Sequence, residues 1–97
     1  MIYGTFEWDS GKAAKNLVEH DVSFEEATTV FDDPFFIILK DPDHSDLEQR
    51  YIIIGESDQK RYLMVSFTER LKRTRVISAR ELDSRERRTY EQKKERF

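Results

Sequence analysis

The chain has no cysteine, which removes a disulfide framework, a thiolate metal site and a thiol nucleophile together. Its three glycines, at positions 4, 11 and 55, form no loop of the kind that cradles phosphate. No apolar stretch approaches the ~20 residues that span a bilayer. The opening Met1-Ile2-Tyr3-Gly4-Thr5-Phe6-Glu7-Trp8 lacks a basic segment followed by an apolar one. Histidine and carboxylate residues show no metal-ligand spacing beyond the lone Asp43-His44 pair. These gaps point to a soluble cytoplasmic protein working without metal or cofactor and away from membranes.

What is present fits one domain over residues 1–97, since 97 residues with 37% hydrophobic content support one modest core and not two. The net charge of −3 hides an asymmetry. Residues 1–48 carry three basic side chains against twelve acidic ones, and residues 49–97 carry fourteen against eight. A basic half suits a polyanion, nucleic acid foremost; a solvated basic helix surface is the plainer explanation.

Hydrophobic spacing and capping residues place the elements. Phe6-Glu7-Trp8 reads as a short edge strand. Asp9 or Ser10 caps a first helix to about Glu19, with Ala13, Ala14, Leu17 and Val18 as its buried side. Ser23-Phe24-Glu25-Glu26 has the form of a capping box and opens a second helix to about Phe31, burying Phe24, Ala27, Val30 and Phe31. Phe35–Leu39 and Tyr51–Ile54 are apolar on both parities, as strands covered on both faces are. Between them lies a polar loop of about ten residues containing His44. Asp83-Ser84-Arg85-Glu86 caps a closing helix, about 83–96, polar all round except for Tyr90 and Phe97 and detachable from the rest.

The run from Val65 to Arg80 reads as a hairpin with a basic turn. Leu63, Val65 and Phe67 share one face with Ile77 and Ala79; Ser66 and Thr68 share the other with Val76, Ser78 and Arg80. Pairing Ser66 with Ser78 and Thr68 with Val76 gives a sheet that is half core and half binding surface. The expected class is α+β, an antiparallel sheet of about four strands, plus the N-terminal edge strand, with two helices on one face and a C-terminal helix.

The resemblance to a known family rests on several motifs in order. Phe6-Glu7-Trp8-Asp9 with Lys12-Ala13 and Asn16, His20-Asp21-Val22-Ser23-Phe24-Glu25-Glu26-Ala27, and Asp41-Pro42-Asp43-His44-Ser45 with Glu48 and Arg50 come first. Ile54-Gly55 with Ser57, Phe67-Thr68-Glu69-Arg70, Arg75-Val76-Ile77-Ser78-Ala79-Arg80 and Glu86-Arg87 with Tyr90-Glu91 follow. Over about residues 5–91 the chain resembles the BrnT toxins. The resemblance implies a RelE-like fold and a ribonuclease that arrests translation. It also implies a BrnA-like antitoxin whose ribbon-helix-helix domain, and not the toxin, meets DNA. Asp21 stands where the family usually has glycine, and aspartate tolerates the left-handed conformation that glycine supplies.

Cleavage of RNA by its own 2′-hydroxyl needs a base, cations for the phosphorane oxygens and an acid for the leaving 5′-oxygen. Arg70, Arg80 and Arg50 suit the phosphate because the guanidinium fork holds two oxygens and stays charged. Each is equally a candidate for a surface salt bridge, such as Arg80 with Glu48. His44 can take and give protons near neutrality, or be a turn histidine capped by its aspartates. Glu48 serves as base or orients Arg50 or Arg80. Ser66, Thr68 and Ser78 form a floor for the RNA, with Arg75 and Tyr62 beside it. Ser66 and Ser78 lie in strands rather than on a nucleophile elbow, which argues against a serine hydrolase. His20, at a helix end, reads as structural, set against the helix dipole or on Trp8. Two strands apolar on both faces need cover that an antitoxin helix or a second copy can supply. A non-enzymatic binding module using the same polar face stays open beside the ribonuclease.

Overall fold

A computed structural model of the chain describes residues 1–41 and 48–96; His44 and Phe97 lie outside the described residues. Six strands form one sheet: β1 (Ile2–Tyr3), β2 (Phe6–Glu7), β3 (Ile37–Lys40), β4 (Arg50–Glu56), β5 (Tyr62–Arg70) and β6 (Arg73–Glu81). Their spatial order is β1-β2-β6-β5-β4-β3. All neighbours are antiparallel except β2 and β6. The four expected strands are present, and the N-terminal segment adds a two-strand ribbon at one edge.

One face of the sheet carries the core. Ile53, Leu63, Val65, Phe67, Val76 and Ala79 pack there beneath Trp8, Val22, Phe24, Ala27 and Val30. A fully buried side chain such as Phe24 or Leu63 contributes about 1.5–3 kcal/mol through its removal from water. Aromatic edges lock the layers, with Phe31 against Phe67 at 5.0 Å and Trp8 against Phe24 at 5.8 Å between ring centres.

Helix α2 (Phe24–Thr29) passes into a single 3₁₀ turn at Val30–Asp32. Ser23 caps it as expected, accepting from the Glu26 amide at 3.0 Å. Glu26 does not return to the cap. Its carboxylate turns inward to Ser57 and Arg61 instead, where a buried charge-assisted pair outweighs a solvated capping bond.

Helix α1 (Ser10–His20) corrects a sequence expectation. Its buried residue is Asn16, while Leu17 is 49% and Val18 86% exposed, and Ala14 is exposed too. The helix runs along the part of the β6 edge that β2 leaves unpaired, at Ala79, rather than over the apolar face. There Asn16 replaces a neighbouring strand: Ala79 N–H donates to Asn16 Oδ1 at 3.0 Å, and Asn16 Nδ2 donates to the Ala79 and Val22 carbonyls at 2.9 Å each. Asp21 closes α1 at φ 56°, the left-handed cap expected of it.

β4 is covered on both faces, with Ile53 fully buried and Ile54 nearly so, as expected. β3 is not. It begins at Ile37 and forms the far edge, leaving Phe36, Ile38 and Leu39 exposed, because a sheet edge has a neighbour on one side only. Helix α3 (Ser84–Glu95) lies against the second face of the sheet. It is tied down by Tyr90, which is fully buried and donates its hydroxyl to Asp33 Oδ2 at 2.5 Å. No helix among the described residues is long and apolar enough to cross a membrane.

Candidate functional site

The second face of the sheet is built by alternation. Tyr62, Met64, Ser66 and Thr68 of β5 point away from the core, and the register sets Met64 opposite Arg80 and Ser66 opposite Ser78. The expected Ser66–Ser78 pair is therefore present. The expected Thr68–Val76 pair is not: a bulge between Ser66 and Phe67 shifts the ladder, so Phe67 faces Val76 and Thr68 faces Arg75. The extra residue on β6 turns Val76 into the core, where it is 1% exposed. On β4, Arg50 sits opposite Thr68 and Ile52 opposite Ser66. Arg50 and Arg75 thus flank the serines on one side and Arg80 on the other, each about two residues or ~7 Å along the strands.

A hollow of about 290 Å³ opens on this face, lined by His20, Met64, Ser66, Ser78, Ala79 and Arg80. A larger one of about 450 Å³ lies between α3 and β3, beside Ile37, Thr89, Gln92, Lys93 and Arg96, and holds none of the candidate residues. At the first hollow Arg80 is clamped two-pronged by Glu86, both bonds at 2.9 Å. It also donates to the Glu81 carbonyl at 3.0 Å and Met64 Sδ at 3.2 Å. Glu86 belongs to the first turn of α3 and closes a capping box with Asp83. Hydrogen bonding from Arg80 holds the Glu86 carboxyl below the usual carboxylate range against an opposing push from burial, and the same pair raises Arg80. Among the described residues no cluster of three or more histidine and carboxylate groups is placed to hold a metal ion.

Over residues 8–86 the chain matches the family described as the ribonuclease toxin, BrnT, of type II toxin-antitoxin systems. It belongs to the BrnT family. Among solved structures it is similar to the Brucella abortus ribonuclease toxin BrnT, with a TM-score of 0.60 and 22% identity. That likeness covers 81% of this chain and 96% of the Brucella chain, and at this identity it is a likeness of fold. No curated protein sequence matches the chain.

On this BrnT fold the residues singled out in the sequence separate into groups. Ser66, Ser78 and Arg80 come together at the hollow. Arg75 lies one row away, bound to Glu7 at 2.7 Å. Arg50 is half-buried, and its guanidinium makes no ion pair among the described residues. Arg70 and Glu48 bind one another at 2.9 Å, both exposed. They sit beside the hairpin tip, six residues along β5 from Met64, roughly 20 Å from the Arg80 row. Glu48 is thus paired with Arg70 rather than with Arg50 or Arg80, and Arg70 stands apart from Arg80 on the sheet. Thr68 is 2% exposed and donates to the Gln49 carbonyl at 2.8 Å, so it cannot be part of an open floor. Tyr62 is taken up by α3, its ring 5.5 Å from that of Tyr90 and 4.5 Å beneath Arg87.

The residue that sequence reasoning set aside is His20. The signal for it was Asn16: an amide on the buried side of a helix marks where that helix meets a strand edge, and His20 follows one turn later on the same face.

Proposed function

We propose that this chain is a metal-independent endoribonuclease of RelE-like type that acts in the cytoplasm. It cleaves RNA by attack of a 2′-hydroxyl on the adjacent phosphate, arrests translation, and is neutralised by a BrnA-like ribbon-helix-helix antitoxin. The observation that carries this reading is the hollow at Ser66, Ser78 and Arg80 in a chain of a ribonuclease toxin family. The two hydroxyls offer donors and acceptors to the ribose-phosphate backbone. Arg80 offers its fork to the phosphate, exchanging Glu86 for the incoming oxygens, and Arg50 adds a cation one row beyond the serines. The antitoxin also meets the need for cover, since β3 and the outer side of α1 leave Phe36, Leu39, Leu17 and Val18 exposed.

A second reading has its own support. Arg70, Arg75 and Arg80 each already hold a carboxylate, as expected of a binding module whose arginines are structural. Expression of the chain alone in a bacterial host separates the two. The ribonuclease reading expects growth arrest with fragmented RNA, relieved by Arg80→Ala and by the Ser66→Ala/Ser78→Ala double substitution. It also expects cleavage by the purified chain to persist in a chelator. Normal growth with intact RNA favours the binding module.

A further inference from the structure

We infer that His20 is the proton donor of the hollow, delivering a proton to the leaving 5′-oxygen of a phosphodiester held against Arg80, Ser66 and Ser78. This rests on the ribonuclease reading of the same hollow.

The side chains around the hollow leave little choice. Arg80 stays charged at any working pH and cannot give up a proton. The Ser66 and Ser78 hydroxyls are too weakly acidic, and Met64 and Ala79 have no exchangeable side-chain proton. An imidazole is the one group among the described lining residues that can both hold a transferable proton and take one back. His20 is exposed, and its ring has no hydrogen-bond partner among the described residues, so it is available to a ligand.

Its backbone is held on both sides. Before it, Asn16 fastens α1 to the edge of β6 through Ala79 and to the segment after the helix through Val22. After it, the Asp21 amide donates to the Leu17 carbonyl at 2.9 Å, and the Asp21 carbonyl accepts from Arg61 at 2.8 Å. Anchorage on a fixed helix end suits a group that must meet a reacting atom within a fraction of an ångström. A histidine serving only the helix dipole would not need to line a hollow shared with Arg80.

In the step, the 2′-oxygen attacks phosphorus and its proton passes to a solvent water acting as base. The bond from phosphorus to the 5′-oxygen breaks as the His20 imidazolium proton moves to that oxygen. The products are a 2′,3′-cyclic phosphate and a free 5′-hydroxyl, and the neutral imidazole regains its proton from solvent.

The test uses the purified full chain and His20→Asn on an oligoribonucleotide carrying the mapped cleavage step, beside the same oligonucleotide with sulfur replacing the leaving 5′-oxygen. A sulfur leaving group needs no proton. His20→Asn is expected to lower kcat about 100-fold on the oxygen substrate. KM and the melting temperature should stay near those of the parent, and on the sulfur substrate the defect should shrink to about 3-fold or less. Equal defects on the two substrates, or parent rates on both, overturn the role of His20 while the ribonuclease reading stands. Failure of the parent chain to cleave either substrate overturns the ribonuclease reading and this inference with it.

Discussion

Two residues show how much of this fold depends on single polar contacts. Glu26 is buried, accepts from Ser57 Oγ at 2.7 Å and Arg61 Nε at 3.0 Å, and forms a second bond to the Arg61 guanidinium. Arg61 holds its carboxyl below the usual range, more strongly than burial raises it. A carboxylate whose pKa is depressed on folding stabilises the fold above its unfolded value, and that contribution is lost as pH falls through the lower folded value. Acid unfolding below about pH 4 should therefore be blunted in Glu26→Gln, alongside a loss of about 3 kcal/mol at pH 7. Urea melts across pH 2.5–7 would show it, and an unchanged pH slope would refute it. Gly55 makes a second demand: a Cβ there would lie 2.8 Å from Asp33 Oδ2 and 3.0 Å from Val30 Cγ1. Asp33 cannot retreat, since it accepts from the Phe35 and Glu56 amides and from Tyr90. Gly55→Ala should cost about 1–3 kcal/mol in denaturant melts.

Helix α3 illustrates the same dependence one level up. Its polar sequence suggests a detachable tail, yet Tyr90 drives into the fold and Glu86 and Arg87 engage Arg80 and Tyr62. Burial first, and then Asp33, push the Tyr90 hydroxyl well above its ordinary pKa. A phenol raised on folding contributes stability fully present below its unfolded value near 10 and lost as pH rises through the folded value. Tyr90→Phe should lose about 1–3 kcal/mol at neutral pH and show a weaker alkaline decline above pH 10, read by circular dichroism. What was legible in the sequence follows from locality. Strands β4 to β6 announced themselves because their pattern is one of neighbouring residues, as did the caps at Ser23 and Asp83. The bulge at Ser66/Phe67, the lie of α1 against a strand edge and the partner of each arginine are matters of distant chain. Glu7 and Arg75 are 68 residues apart, and no local pattern relates them. The placing of His20 beside Arg80 was hidden for this reason, and the distance between Arg70 and Arg80 was hidden because strand ends look alike until the hairpin has direction.

At the scale of the whole molecule, the acidic and basic halves of the chain do not form two charged hemispheres. Glu7, Glu26 and Glu48 of the first half neutralise Arg75, Arg61 and Arg70 of the second, so much of the asymmetry is spent inside the fold. Among the described residues the cations bordering the hollow reduce to Arg50, Arg75 and Arg80, two of them already carrying a carboxylate. Each phosphate neutralised on single-stranded nucleic acid contributes about −0.7 to the slope of log K against log salt. Three cations at most give a slope no steeper than about −2. If RNA instead lay along the basic surface of α3, Arg85, Arg88, Lys93 and Arg96 would neutralise up to four phosphates and steepen the slope to about −3. Titration of a fluorescent oligoribonucleotide from 50 to 300 mM salt separates the two, with Arg50→Gln flattening the slope and Arg88→Gln leaving it unchanged if the hollow face is the one that binds. A steep slope that Arg88→Gln relaxes would move the RNA off the sheet and onto the helix, and the basic charge of the second half would then meet the polyanion through α3 rather than through the hollow.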